Sequence, residues 1–86
     1  MAKVYSKKEF REKVIPDLKN KLEKAENFNM KDKAKDLKNY IRTCETLLSN
    51  SKHGVIHVIG TKLLALIAED TKNWKHVSTE EDNSED

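Results

Sequence analysis

The stretch HGVIHVIGTKLLALIAED, residues 53–70, constrains this chain more than any other part of it. Within residues 55–68 only Lys62 carries a full charge, although 37% of the whole chain is charged. Apolar surface gathered in one run must leave water, so this segment needs something to be buried against. It falls short of the ~20 apolar residues that cross a bilayer, and Lys62 sits in its middle, so no membrane span is expected.

Two local structures fit it. A short strand VIHVI between Gly54 and Gly60, leading into a helix TKLLALIAED, suits the β-branched residues and flanking glycines. A continuous helix over 52–70 suits the absence of a second strand candidate, because a lone strand leaves its backbone groups unsatisfied unless another copy pairs with it. The helix is the expectation carried forward, with an intermolecular strand over 55–59 as the open alternative. Such a helix is apolar on nearly every side and must be covered on nearly every side. Val55, Ile56, Ile59, Leu63, Leu64, Leu66 and Ile67 are therefore the expected oligomer interface.

The preceding residues read as a helical hairpin. In YSKKEF, Ser6 can accept from the backbone N–H of Glu9 while the Glu9 carboxylate reaches back to Ser6, and Tyr5 and Phe10 flank the start as a hydrophobic staple. Phe10, Val14, Leu18 and Leu22 then recur every fourth residue, predicting a helix over about 6–28 with a kink at Pro16, which lacks the N–H for Glu12. Asn27 or Asn29 can end it, and Asn29 can cap the next. Met30, Ala34, Leu37, Ile41, Cys44 and Leu48 form an a/d seam that predicts a second helix over 30–49. The fold class expected is all-α: this hairpin plus a third, strongly apolar helix, packed in a homo-oligomer. One domain over 1–77 accounts for all of it, and so small a domain gains from self-association.

Charge is divided unevenly. Residues 1–52 hold fourteen Lys and Arg against eight Asp and Glu, whereas residues 79–86 hold five acids and no base. With no apolar group to repay ordering, 78–86 is expected to be a disordered acidic tail. The fifteen lysines against two arginines are what an AT-rich bacterial or phage gene tends to encode. A single cysteine excludes an intramolecular disulfide, and the first ten residues lack a signal peptide's apolar core, so a cytoplasmic protein is expected.

Candidate chemistry is sparse. His53 and His57 are four apart and could face a metal with Cys44 or His76, but the spacing of known zinc motifs is missing, and no metal or cofactor is expected. Cys44 on the seam reads as core filler. The lysines interleave with acids, so nucleic acid is a partner the composition permits without favouring. Trp74, flanked by Lys72, Lys75 and His76, is a candidate partner contact. Thr61, Lys62 and His57 could meet a ligand. The expectation is a small non-enzymatic helical binding protein, an inhibitor or adaptor of a larger protein, acting through a homo-oligomeric scaffold. The alternatives are nucleic-acid binding through the Lys-rich helices, or sequestration of a small anionic or nucleotide-like ligand at a subunit interface.

Overall fold

A computed structural model describes residues 3–76. They form a mostly helical domain with one small sheet: β1 (Lys3–Ser6), α1 (Lys7–Glu9), a π-helical stretch (Phe10–Val14), α2 (Ile15–Asn27), α3 (Lys31–Asn50), β2 (Val55–Val58), α4 (Thr61–Ala68) and a 3-10 turn (Thr71–Asn73). The acidic tail expected over 78–86 lies outside the described residues.

Ser6 ends β1 and caps α1, its Oγ accepting from Glu9 N–H at 3.0 Å. The Tyr5 and Phe10 rings pack with centroids 5.8 Å apart, as the staple requires. At Pro16 the sequence predicts a kink, and the chain answers with a wider turn just before it. Ile15 N–H donates to the Phe10 carbonyl five residues back, which makes room for a ring that would otherwise press on the preceding turn. Apolar residues every fourth position also overrun a turn of about 3.6 residues, and the π stretch takes up that surplus. Phe10, Val14 and Leu18 consequently share one buried face.

The α2 helix closes through Asn29, which has φ of 60°. Met30 N–H reaches the Ala25 carbonyl at 2.8 Å and Asn29 N–H reaches that of Glu26 at 3.2 Å, the paired bonds of a left-handed helix stop. Asn29 thus serves the first helix, and Met30 stands at the N-cap of α3. The seam on α3 buries Ala34, Leu37, Ile41 and Cys44 against Ile15, Leu18 and Ala25 of α2. Ion pairs Lys38–Glu26 and Lys19–Glu45, each 3.5 Å, mark the antiparallel register.

Residues 52–70 do not form the continuous helix expected. Val55–Val58 is a strand that pairs antiparallel with β1, in the register Lys3↔Val58, Val4↔His57, Tyr5↔Ile56 and Ser6↔Val55. The missing partner strand is supplied by this chain rather than by another copy. KVYS is too short and too polar at its ends to show period-two alternation, yet it leaves Ser6 at the helix entry and meets VIHV from the far end of the hairpin. With its ladder satisfied, the β-branched run takes the extended form it favours. Tyr5, Ile56 and Val58 point into the core. The α4 helix therefore has only two turns, and Leu63 and Leu66 are its buried residues.

Candidate binding surfaces

The α4 helix is tied to the hairpin by lysines. Lys21, only 7% exposed, lies three residues after Leu18 and four before Ala25, within the buried stripe of α2. Its ammonium donates to the carbonyls of Leu66 at 2.9 Å and Ile67 at 2.8 Å, and Asp17 lies 3.0 Å away. Lys24 donates to the Thr71 carbonyl at 2.9 Å. A helix of two turns leaves its last four carbonyls, half of the total, without internal partners, so cations at its C-terminal end stabilise it directly.

Beyond α4, Glu69 joins two elements. Its Oε1 accepts from Lys33 at 2.8 Å and its Oε2 from the Trp74 indole N–H at 2.6 Å, while the Lys33 ammonium stands 5.8 Å from the Trp74 ring centroid. Burial would raise the Glu69 pKa, but the hydrogen bonds from Lys33 and Trp74 and the charges of Lys33 and Lys21 outweigh it and hold the carboxyl below its ordinary value. The half-buried Trp74 is thus engaged within its own chain. Lys62 is paired with Asp36 at 3.4 Å.

The residues expected at an oligomer interface divide into two sets. Ile56, Leu63 and Leu66 are consumed by the chain's own core, with Leu64 and Ile67 packed partly against it. Ile59 and Val55 remain outside, at 70% and 41% exposure, together with Val4 at 52%, a residue the sequence reading passed over. Val4 and Val55 lie on the solvent side of the sheet because successive strand residues alternate faces. Beside β1 runs a groove of about 550 Å³ lined by Lys3, Tyr5, Thr61, Leu64, Ala65, Ile67 and Ala68. Thr61 is therefore at this groove, whereas His57 lines another.

That second groove, about 340 Å³, brings His53 and His57 together with Leu47, Val55 and Ile56. Among the described residues no group of three or more His, Cys, Asp or Glu is arranged to hold a metal ion. Cys44 is sealed in the core, where burial, reinforced by the charge of Glu45, pushes its thiol up to about 11; a thiol in that state is a poor nucleophile. No helix among the described residues is long and apolar enough to cross a membrane. A third groove, of about 330 Å³, has Ala25, Met30 and Ala34 among its lining together with Glu26, Lys31, Lys35 and Lys38. Comparisons of the chain with protein-family models, with curated proteins and with solved structures returned no match.

Proposed function

We propose that this chain is a small non-enzymatic binding protein, an inhibitor or adaptor of a larger protein, that works as a homo-oligomer assembled through the outer face of its sheet and the adjoining α4 groove. The observation that carries the reading is the solvent exposure of Ile59, Val4 and Val55 beside a groove with Tyr5, Leu64 and Ile67 in its walls. Exposed apolar surface on a small domain marks an interaction site. A second copy fits because an isologous pairing doubles every apolar group the face contributes.

Magnitudes bound the assembly. Each of the three aliphatic side chains is roughly half exposed and would gain on the order of 1 kcal/mol on burial. Six of them, from two copies, only match the lower end of the association cost of about 4 kcal/mol upward. The groove must contribute, and the assembly should be one that dissociates on dilution.

Light scattering across a dilution series tests the reading. The wild type should show a dimer or larger species at high concentration. Ile59→Glu should be monomeric with its melting transition retained, because Ile59 lies outside the core. Leu63→Glu, by contrast, should unfold the chain. A wild type that is monomeric at every concentration would sink the proposal.

A further inference from the structure

The direction of the backbone groups in β1 decides what that strand can join. The Lys7 N–H donates to the Gly54 carbonyl at 2.9 Å, and these two residues lie opposite one another when the β1–β2 register is carried one step past Ser6↔Val55. Bonded and non-bonded pairs alternate along an antiparallel ladder. Tyr5↔Ile56 and Lys3↔Val58 are therefore the bonded pairs, and the N–H and C=O of Val4 point away from β2, out of the edge of the sheet. Neither group has a hydrogen-bond partner among the described residues.

A strand edge of this kind is a template for a further strand. The space beneath it is apolar: Lys3 and Tyr5, on the inner side of β1, share a groove with Leu64, Ala65 and Ala68 of α4. On β2 the corresponding edge is partly covered, because the Ser51 Oγ donates to the Val55 carbonyl at 3.1 Å and to the His53 carbonyl at 2.7 Å. A strand added to β2 would meet the turn at 51–53, whereas one added to β1 lies over the groove.

We propose that β1 joins β1 of a second copy edge to edge, antiparallel about a two-fold axis at Val4, so that two small sheets become one of four strands. The inference rests on the homo-oligomer reading and places the seam of that assembly. In this register Val4 exchanges both backbone hydrogen bonds with the partner's Val4, and Lys3 lies opposite the partner's Tyr5. An axis at Tyr5 would instead set Lys3 against the partner's Lys7, a like-charge pair that costs stability. The axis at Val4 stands perpendicular to the sheet, so both inner faces stay on one side and the two α4 grooves meet beneath the seam. A foreign strand would gain only the ladder of a four-residue edge. A second copy brings its own exposed Val4 and its own groove to the same line, and the directional bonds fix the register that apolar contact alone leaves open.

Amide hydrogen exchange of the full chain across a dilution series, with light scattering on the same samples, tests the seam. The Val4 amide should exchange freely in dilute protein and become protected as the oligomer forms. A mixture of isotope-labelled and unlabelled chains should show a contact between the α-protons of Lys3 and Tyr5 of different copies, since non-bonded pairs approach most closely. Val4→Pro removes an N–H that faces solvent on an edge strand, where proline is tolerated. It should keep the melting transition of the dilute wild type and weaken association roughly tenfold or more, while Val4→Thr, which retains the N–H, should associate far more tightly than the proline variant. An oligomer whose Val4 amide stays unprotected, or in which the His57 amide is protected instead, overturns the edge pairing and leaves the homo-oligomer reading standing. A wild type monomeric at every concentration overturns both. Protection of Val4 in a monomer by an added Thr-Val repeat peptide would assign the edge to a foreign strand and overturn the proposal. Should Val4→Pro fail to fold, the exchange and the contact between copies in the wild type decide alone.

Discussion

The ammonium of Lys21 donates to the carbonyl oxygen of Ile67 at 2.8 Å, across 46 residues of sequence. This contact and its neighbour to Leu66 at 2.9 Å satisfy the end of a helix too short to stand alone. They also settle a charge that would be costly in the interior without partners.

Lys21→Met keeps the aliphatic stem and removes the donor, leaving two carbonyls exposed to an apolar neighbour. Hydrogen bonds involving a charged group contribute about 1.5–3 kcal/mol, and a loss of that order is expected. In urea the midpoint should fall with the slope unchanged. Hydrogen exchange should rise in α4 before α3. An unchanged midpoint would mean that α4 is held by Leu63 and Leu66 alone.

Glu69 makes stability depend on acid. Its carboxyl is held below the ordinary value in the folded chain, so its contribution is present above the unfolded pKa of about 4.3 and is lost as pH falls through the folded value. Glu69→Gln should flatten the acid limb of the stability profile. The fluorescence of Trp74, whose indole donates to Glu69 at 2.6 Å, should change over the same interval in the wild type and stay level in the variant.

Cys44 acts at the other end of the scale. With its folded pKa pushed up to about 11, the thiol stabilises the fold fully below the unfolded value of about 8.5, and that contribution is lost as pH rises towards the folded value. Cys44→Ala should lower stability at pH 7 through lost packing and show a flatter decline above pH 9. A thiol reagent should label the wild type at the rate of opening; fast labelling of the folded protein would show that the core is not sealed there.

Pro16→Ala separates two causes of the π stretch. If the proline ring alone forced it, the restored N–H would close a regular turn onto Glu12 and rotate Phe10 out of the core. The four-residue spacing of Phe10, Val14 and Leu18 argues that the wide turn persists. The expected outcome is a variant within about 1 kcal/mol of the wild type, with its Ile15 amide still protected from exchange. A large loss of stability would identify the proline as the cause.

What the sequence determined by itself is what neighbouring residues settle between them. Ser6 capping Glu9, Tyr5 against Phe10, the stop after Asn27 and the α3 seam of Ala34, Leu37, Ile41 and Cys44 all rest on interactions spanning a few residues, so periodicity and capping chemistry suffice to read them. The fate of VIHVI was settled by tertiary structure, because a strand forms only where a partner takes its hydrogen bonds, and Val4↔His57 joins positions 53 residues apart. The same pairing turned Ile56 and Val58 inward and left Val4, Val55 and Ile59 outside, so the candidate interface is smaller than the apolar run suggested. The burial of Lys21 was foreshadowed only by its place on the α2 stripe. Its role depends on Leu66 and Ile67 being brought beside it, and a helix end has no means of naming, from its own sequence, the distant cation that will satisfy it.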